Sequence, residues 1–592
     1  MKSLNKKIYL IALISIATLA FACKEFLNKP PRGALLPPTV ANRTGVQGLL
    51  VGAYHALMGN LDWGSAPSNW VYGSVLGGDS YKGSTPSDQG DIVPLETYAY
   101  NANNPYLNQK WLGVYNGVAR ANEVLRVMAL ATDIPADEVK TMTAEARFIR
   151  GFQHMEAKLM WKNVPYVDET ITVAAGNVNV PNVDASGNYV DIWPKIEADL
   201  QYAIDNLPAT QPQPGRINKW GAMAFMAKAY MFELKYANAK TLLDQLITSG
   251  TTASGKKYAL VNFEDNFNAA GDNSAESVFA VQMTVNDGSG TNGNYGDNLN
   301  FPNSGGPGGC CGFNNPSISL ANAYKTDVNG LPLLDTYNSG NNVSAATSPY
   351  VGNLDPRIDL TMGRPGIPYL DWGPYPSLTW IRDPGTDGWF SPRKNVYASS
   401  QTNALSSKET SFWGPTQMDA NNVNLIRFSD VLLMDAECEI EVGSLATATG
   451  YVNQVRTRAA DPTGWVYKNS AYNATTGKYT TQTTPADTYK VGLYATFPDK
   501  ATARKAVQFE RMIELGMEGH RFYDLQRWNT GGSMAATLNA FIAVEKTRPS
   551  IFAVNPASVF TANKNEIFPI PQTQIDAENA SGKVNLKQNP GY

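Results

Sequence analysis

Between Trp220 and Leu246 the apolar residues recur at helical spacing, stop, and begin again. Trp220, Met223, Ala227, Tyr230 and Leu234 make one stripe; Ala239, Leu242, Leu243 and Leu246 make a second, closed by Gly250. Two short helices with one apolar face each cannot bury those faces alone, so they must pack on each other and then on a neighbour. The layout returns in FSDVLLMDAECEIEVG, where Phe428, Leu432, Ala436 and Ile440 are followed by Leu445, Ala448, Val452 and Val455. In AEARFIRGFQHMEAKLMW, Phe148, Phe152, Met155 and Leu159 share a face, and residues 111–128 and 504–528 read as further helices. The pattern predicts a mainly α chain of stacked helix pairs with minor β structure.

Such pairs, with small residues where the helices cross, resemble tetratricopeptide units. Between them lie long irregular stretches at 59–105, 284–330, 331–420, 461–500 and 530–592. Loops of that length in a compact domain usually carry function. Nine glycines fall between Asn286 and Gly312, a composition suited to close backbone approach. Residues 361–415 hold Trp372, Trp380, Trp389 and Trp413 among prolines and glycines. The helices read as scaffold and the loops as the working surface.

The amino terminus sets the compartment. Lys2, Lys6 and Lys7 precede the apolar run from Ile8 to Ala22. A helix of that length spans only about 22 Å, short of the roughly 30 Å hydrocarbon core of a bilayer. Basic head, short apolar run and small final residue describe a signal peptide over residues 1–22. Cys23 follows directly, as in the lipobox of bacterial lipoproteins, although Ala20 stands where leucine is usual and Phe21 is bulky. Cys23 is therefore the expected lipid anchor, and the prolines after it begin a tether over residues 23–40. The formal charge of the whole chain is −4, and loss of the three lysines leaves −7. A mildly acidic body lacks the basic face a nucleic-acid partner needs. With 17% charged and 10% aromatic residues, the balance suits neutral, hydrogen-bonding ligands.

Enzyme signatures are mostly missing. His55, His154 and His520 are scattered with no zinc-type spacing, and neither G-x-S-x-G nor a P-loop occurs. His520 reads as a core histidine in helical register with Phe509, Ile513, Gly516 and Tyr523. Gly288, Gly290 and Gly293 match G-x-G-x-x-G, but the following NYGDNLNFPN cannot open the helix that a dinucleotide site requires. Glu514 and Glu518 could be paired for a glycosidase, yet Arg511 and Arg521 flank them, and a structural ion cluster is the simpler reading. Asp327-Val-Asn329-Gly330 echoes a calcium loop without its remaining ligands and reads as a turn. The neighbouring Cys310 and Cys311 sit closer than an ordinary disulfide allows, but on an oxidising exterior they could pair into a stiff apolar hump. Cys438 reads as a buried thiol. No catalytic residue, metal site or cofactor is expected.

At the carboxyl end, QFERMIELGMEGHRFYDLQRW (508–528) and FPIPQTQIDAENASGKVNLKQNPGY (568–592) resemble the signatures of the SusD/RagB family, glycan-capture lipoproteins of Bacteroidetes. LIRFSDVLLMDAECEIEVG, AEARFIRGFQHMEAKLMWKNVP, GRINKWGAMAFMAKAYMFELKYANAKTLLDQLITSG and CKEFLNKPP extend the likeness over nearly the whole chain. The resemblance implies four tetratricopeptide-like pairs, an N-terminal SusD-like helical region (41–270) and a C-terminal SusD/RagB region (271–592) bearing a loop-rich ligand face. It implies a lipid-anchored protein of the outer membrane, facing outward and touching the membrane through its lipid only. The implied partner is a SusC-like TonB-dependent barrel, to which captured oligosaccharide is delivered without chemistry. Family ligand sites correspond to 59–105 and about 290–415 here. Within them Asp79, Tyr81, Lys82, Tyr295, Trp372, Tyr375, Trp380 and Arg382 are the expected contacts, rings stacking on sugar faces and polar groups reading hydroxyls. Capture of peptides by a lid of the same family is the alternative, and a surface glycosidase a more distant one.

Overall fold

The computed structural model describes residues 37–409, 417–468, 483–580 and 582–592, with the backbone of two short strands at 472–473 and 478–479. The expected signal peptide over residues 1–22, Cys23 and Trp413 lie outside the described residues. The longer helices, in chain order, are α1 Arg43–His55, α2 Pro105–Met128, α3 Ala136–Trp161 and α4 Trp193–Asn206. They continue with α5 Lys219–Phe232, α6 Tyr236–Ser249, α7 Phe428–Val442 and α8 Leu445–Ala460. The last are α9 Lys500–Glu514, α10 Arg521–Arg527 and α11 Ser533–Glu545. Capping explains several starts. Asn104 accepts from the Tyr106 N–H ahead of α2, where Pro105 supplies a preset φ, and Asn218 and Ser444 cap α5 and α8 in the same way.

Packing follows chain order: α1 on α2, then α3, α4, α5 and α6 in turn, with α7 joining α6 to α8 and α9. One apolar cluster runs through this stack, from Val46 to Leu586. The expected pairs α5–α6 and α7–α8 are present. The α5 stripe is shorter than its periodicity suggests: Met223 and Ala227 are buried, but Leu234 lies beyond the helix at φ +58° and is exposed. Because α5 is wedged between neighbours, every residue from Gly221 to Ala227 is buried, and its apolar character extends around the helix. Helices α1 and α4, which the periodicity did not single out, complete the stack, while α11 packs on the short helices Ile318–Ala323 and Ile551–Val554.

The segment 504–528 is not one helix. It breaks between Glu514 and Arg521, where Met517 and Gly519 take positive φ. A Cβ on Gly519 would stand 2.0 Å from the Ser68 carbonyl oxygen, so this turn closes only with glycine. His520 therefore stands at the N-cap of α10 instead of continuing the α9 register, and it lines a small internal cavity. Cys438 is a buried free thiol donating to the Met231 sulfur at 3.3 Å.

Short antiparallel strand pairs tie distant loops together. They are β1 Ser80–Gly83 with β3 Phe313–Pro316, β2 Ser277–Val281 with β6 Val423–Arg427, and β4 Met362–Gly363 with β5 Ser391–Pro392. The loops also own a core: Phe301, Ile318, Tyr324, Ile358, Tyr369, Phe390 and Tyr397 belong to a second apolar cluster.

Charge joins the two halves. The Glu514 carboxylate, fully buried, receives Arg357 at 2.8 Å as well as Arg427 and Arg458. Arg427 also reaches Glu276 and Glu518, each at 2.8 Å, and Arg357 and Arg456 share Glu510. Burial alone would raise the Glu514 pKa; Arg458, Arg427 and Arg357 outweigh it and hold the carboxyl well below its usual range. The ion cluster expected around Glu514 and Glu518 exists, but its arginines come from distant segments. Arg511 instead serves Asp430 and Asp524.

Two outcomes follow. Glu514→Gln, which leaves three buried guanidiniums short of a counter-charge, is expected to cost about 3–5 kcal/mol in urea unfolding; a loss under 1 kcal/mol would refute the role given to the cluster. His154 is locked neutral: its Nε2 accepts the Val167 N–H at 3.0 Å while Nδ1 faces the Arg150 carbonyl at 2.9 Å. Burial pushes its pKa down to about 4. The unfolded chain takes up this proton first, so stability present above pH 6.5 is lost as pH falls toward 4, by about 3 kcal/mol. Urea titrations across that window should show a shallower pH slope for His154→Asn than for the parent, and equal slopes would contradict the assignment.

Candidate functional site

The loops expected to carry ligand contacts meet on one face, but several of the expected side chains point inward. Asp79 is 2% exposed and accepts the Met517 N–H, pinning its loop to the α9–α10 turn. Burial pushes its pKa up to about 7 against the pull of Arg521. Tyr81 is fully buried, donating to Glu545 and accepting the Ile318 N–H at 3.1 Å. Lys82, 2% exposed, gives its ammonium to the carbonyls of Gly83, Thr85 and Asp88 at 2.7, 2.9 and 2.8 Å. It thus serves as the centre around which residues 83–88 curl. Tyr375 is 1% exposed and paired with Ser391 Oγ at 2.8 Å. As placed, these four side chains shape the face from beneath and do not present polar atoms on it. Asp79, Tyr81 and Lys82 share the stretch GGDSYKG, which the pairing of β1 with β3 places inside.

The outer layer holds Trp372, Trp380 and Arg382. Trp380 is half-buried and stands edge-on to Tyr369 and Tyr375, with ring centroids at 5.7 and 5.5 Å. Trp372, also half-buried, donates its indole N–H to the Tyr397 carbonyl at 3.0 Å. Arg382 is exposed, bound to Asp88 at 2.6 Å and to Ser84 Oγ at 3.0 Å. Arg382 thereby clips the loop curled around Lys82 to the tryptophan-rich stretch.

Between the two runs the glycine-rich loop. A Cβ on Gly306 would meet the Trp380 ring at 2.6 Å, so only glycine lets the backbone lie flat on the indole. Beyond it Cys310 and Cys311 are bonded to each other. Tyr295, nearly buried, stacks on half-buried Trp63 with centroids 6.5 Å apart and planes 13° apart, and Trp63 donates to Asn298 Oδ1 at 2.8 Å. Trp63 is not among the expected contacts. Its loop was expected to bear ligand, but only the fold brings it against Tyr295.

The other motifs resolve structurally. The N–H groups of Gly288 and Gly290 bind the Glu409 carboxylate at 2.8 and 3.0 Å, so the G-x-G-x-x-G backbone is occupied by its own chain. Asp327 Oδ1 accepts the N–H groups of Asn329 and Leu331, an ordinary turn. Among the described residues no group of three His, Cys, Asp or Glu side chains is placed to hold a metal, and no helix is long and apolar enough to cross a membrane.

The chain as a whole matches known proteins of one kind. The family model described as the SusD family matches residues 275–592, and a second, described as "Starch-binding associating with outer membrane", matches residues 69–231. A SusD-like protein of Formosa agariphila is 25% identical over 555 residues, covering 89% of this chain and 90% of the relative. Among solved structures, a SusD superfamily protein from Bacteroides vulgatus aligns with TM-score 0.66 at 20% identity, over 93% of this chain and 99% of that one. A laminarin-binding SusD-like protein aligns with TM-score 0.61 at 21% identity, over 93% and 100% of the two chains. Surface glycan-binding protein A from Bacteroides fluxus gives TM-score 0.63 at 20% identity, over 93% and 99%.

Removing the Lys82 ammonium should free the curled loop. Lys82→Met leaves three carbonyls without their donor, and is expected to cost about 1–3 kcal/mol of stability. It should also speed amide hydrogen exchange over residues 83–91 about tenfold relative to the helices. Unchanged exchange there would refute the anchoring role.

Proposed function

This chain belongs to the SusD family, and from that premise we propose that it is a surface glycan-binding protein that captures oligosaccharide and passes it to a SusC-like TonB-dependent barrel. The observation that carries the reading is the aromatic layer on the loop face: Trp380, Trp372 and the Trp63–Tyr295 stack, each half-exposed or lying beside a half-exposed ring. Flat rings suit the apolar faces of pyranoses, and the exposed Arg382 and backbone groups of the glycine loop suit their hydroxyls. The laminarin-binding SusD-like protein and the surface glycan-binding protein that share this fold support the same ligand class. Lipid on Cys23, a position in the outer membrane facing outward, and the barrel as partner complete the proposal. No turnover is assigned: the carboxylate pair Glu514 and Glu518 is locked by arginines inside the core.

In this reading the protein works as a lid. Ligand favours closure only to the extent that it contacts the closed assembly better than the open one, so stacking energy on the loop face sets the bias. The positions proposed to touch ligand are Trp63, Tyr295, Trp372, Trp380 and Arg382, with Asp79, Tyr81, Lys82 and Tyr375 holding them in place.

Calorimetry of the detergent-solubilised full chain against laminarin, soluble starch and a mixed peptide digest tests the proposal. Binding to one glycan, weakened about 30-fold or more in Trp380→Ala with the melting temperature preserved, is expected. Binding to peptides alone would move the chain to peptide capture.

A further inference from the structure

The glycine-rich loop carries the bonded Cys310–Cys311 pair. The loop that carries it is pressed inward: a Cβ on Gly306 would strike the Trp380 ring, and one on Gly308 would strike the Phe301 ring at 2.5 Å. The inner side of the loop is therefore filled by aromatic rings. The opposite side is open, since a Cβ on Gly309 would meet nothing within 4 Å and Cys310 beside it is half-exposed. Cys311 is 3% exposed and anchors the pair below, with its N–H on the Leu299 carbonyl at 3.3 Å and its sulfur accepting from Gln417 at 3.4 Å.

The position is central. The backbone of Asn303 donates to the Trp380 carbonyl, and Gly312 packs on Arg382, which places both ends of the 303–312 loop against the tryptophan-rich stretch. Leu299, which holds Cys311, directly follows Asn298, the acceptor of the Trp63 indole. The cysteine pair thus lies on the segment connecting the two aromatic groups.

Two bonded neighbours close a small ring in which neither side chain keeps a free rotor. Such a surface is apolar, polarisable and already ordered, so contact with it costs little further entropy. It also carries no charge and no strong donor. We propose that the Cys310–Cys311 disulfide is a preformed ligand subsite, a rigid sulfur plate between the Trp63–Tyr295 stack and Trp380 that packs against the apolar face of a neutral pyranose. The inference rests on the glycan-capture reading and assigns a further contact within that site.

The test compares the full chain in detergent, its Cys310→Ser/Cys311→Ser variant and its Trp380→Ala variant, titrated with laminarin and with soluble starch. A phosphine-reduced sample of the unmutated chain is run in parallel; there the phosphine gives two electrons to the disulfide, water supplies the two protons and the oxygen, and the products are two thiols and the phosphine oxide. Peptide mass mapping first shows whether both thiols resist alkylation before reduction, and ready alkylation would overturn the proposal. The expected result is a weakening of about three- to tenfold on loss of the disulfide, by either route, with an unchanged melting temperature. Should the serine variant fail to fold, the reduced sample decides alone. Full affinity without the disulfide, alongside loss in Trp380→Ala, would overturn the subsite and leave glycan capture standing. No binding of either glycan by the unmutated, oxidised chain would overturn both.

Discussion

The convergence of Arg357, Arg427 and Arg458 on the buried carboxylate of Glu514 is the constraint on which the architecture turns. Each arginine arrives from a different part of the chain: the loop face, the end of β6, and α8. Burying any of these charges alone would cost several kcal/mol, so the arrangement is tolerable only when all partners are present together. Docking of the loop face onto the helix stack is therefore coupled to completion of the network. An apolar interface would tolerate sliding; a set of directional ion pairs does not.

That coupling explains how long irregular segments can hold aromatic side chains in fixed positions. The loops rest on a second apolar cluster and are stitched by two-residue strand pairs. They are also clipped by buried cations that bind backbone carbonyls. Lys82 does this for residues 83–88, and Lys325 does it for the carbonyls of Tyr337, Ser339 and Asn341. An ammonium presents three donors in a compact head, which suits it to gather a turn where no regular ladder exists. Order in the loops lowers what a ligand must spend to bind them.

Much of the scaffold was legible. Phe148, Phe152, Met155 and Leu159 lie on a real helix, and the α5–α6 and α7–α8 pairs stand where their stripes put them. Misreadings arose where local pattern and tertiary setting diverge. The stripe through His520 ran across a turn that Gly516, Met517 and Gly519 make, because periodicity in 504–528 continues past the point where the backbone reverses. Asp79, Tyr81 and Lys82 of GGDSYKG are expected ligand contacts by residue type and loop, yet β1 pairs with a strand more than 200 residues away and turns them inward. Trp63 carried no local sign of its partner, since Tyr295 reaches it only through the fold.

The sequence by itself determined the helical class, the paired layout of the stack and the family signatures at the carboxyl end. Those properties live in spacings of three or four residues or in contiguous motifs, which a linear reading can resolve. Only the tertiary structure decided which aromatic rings stand at the surface, which cations vanish into backbone cages and which arginines neutralise Glu514. Each of these depends on contacts between segments far apart in the chain, and burial of a polar side chain is set by what the fold brings to meet it.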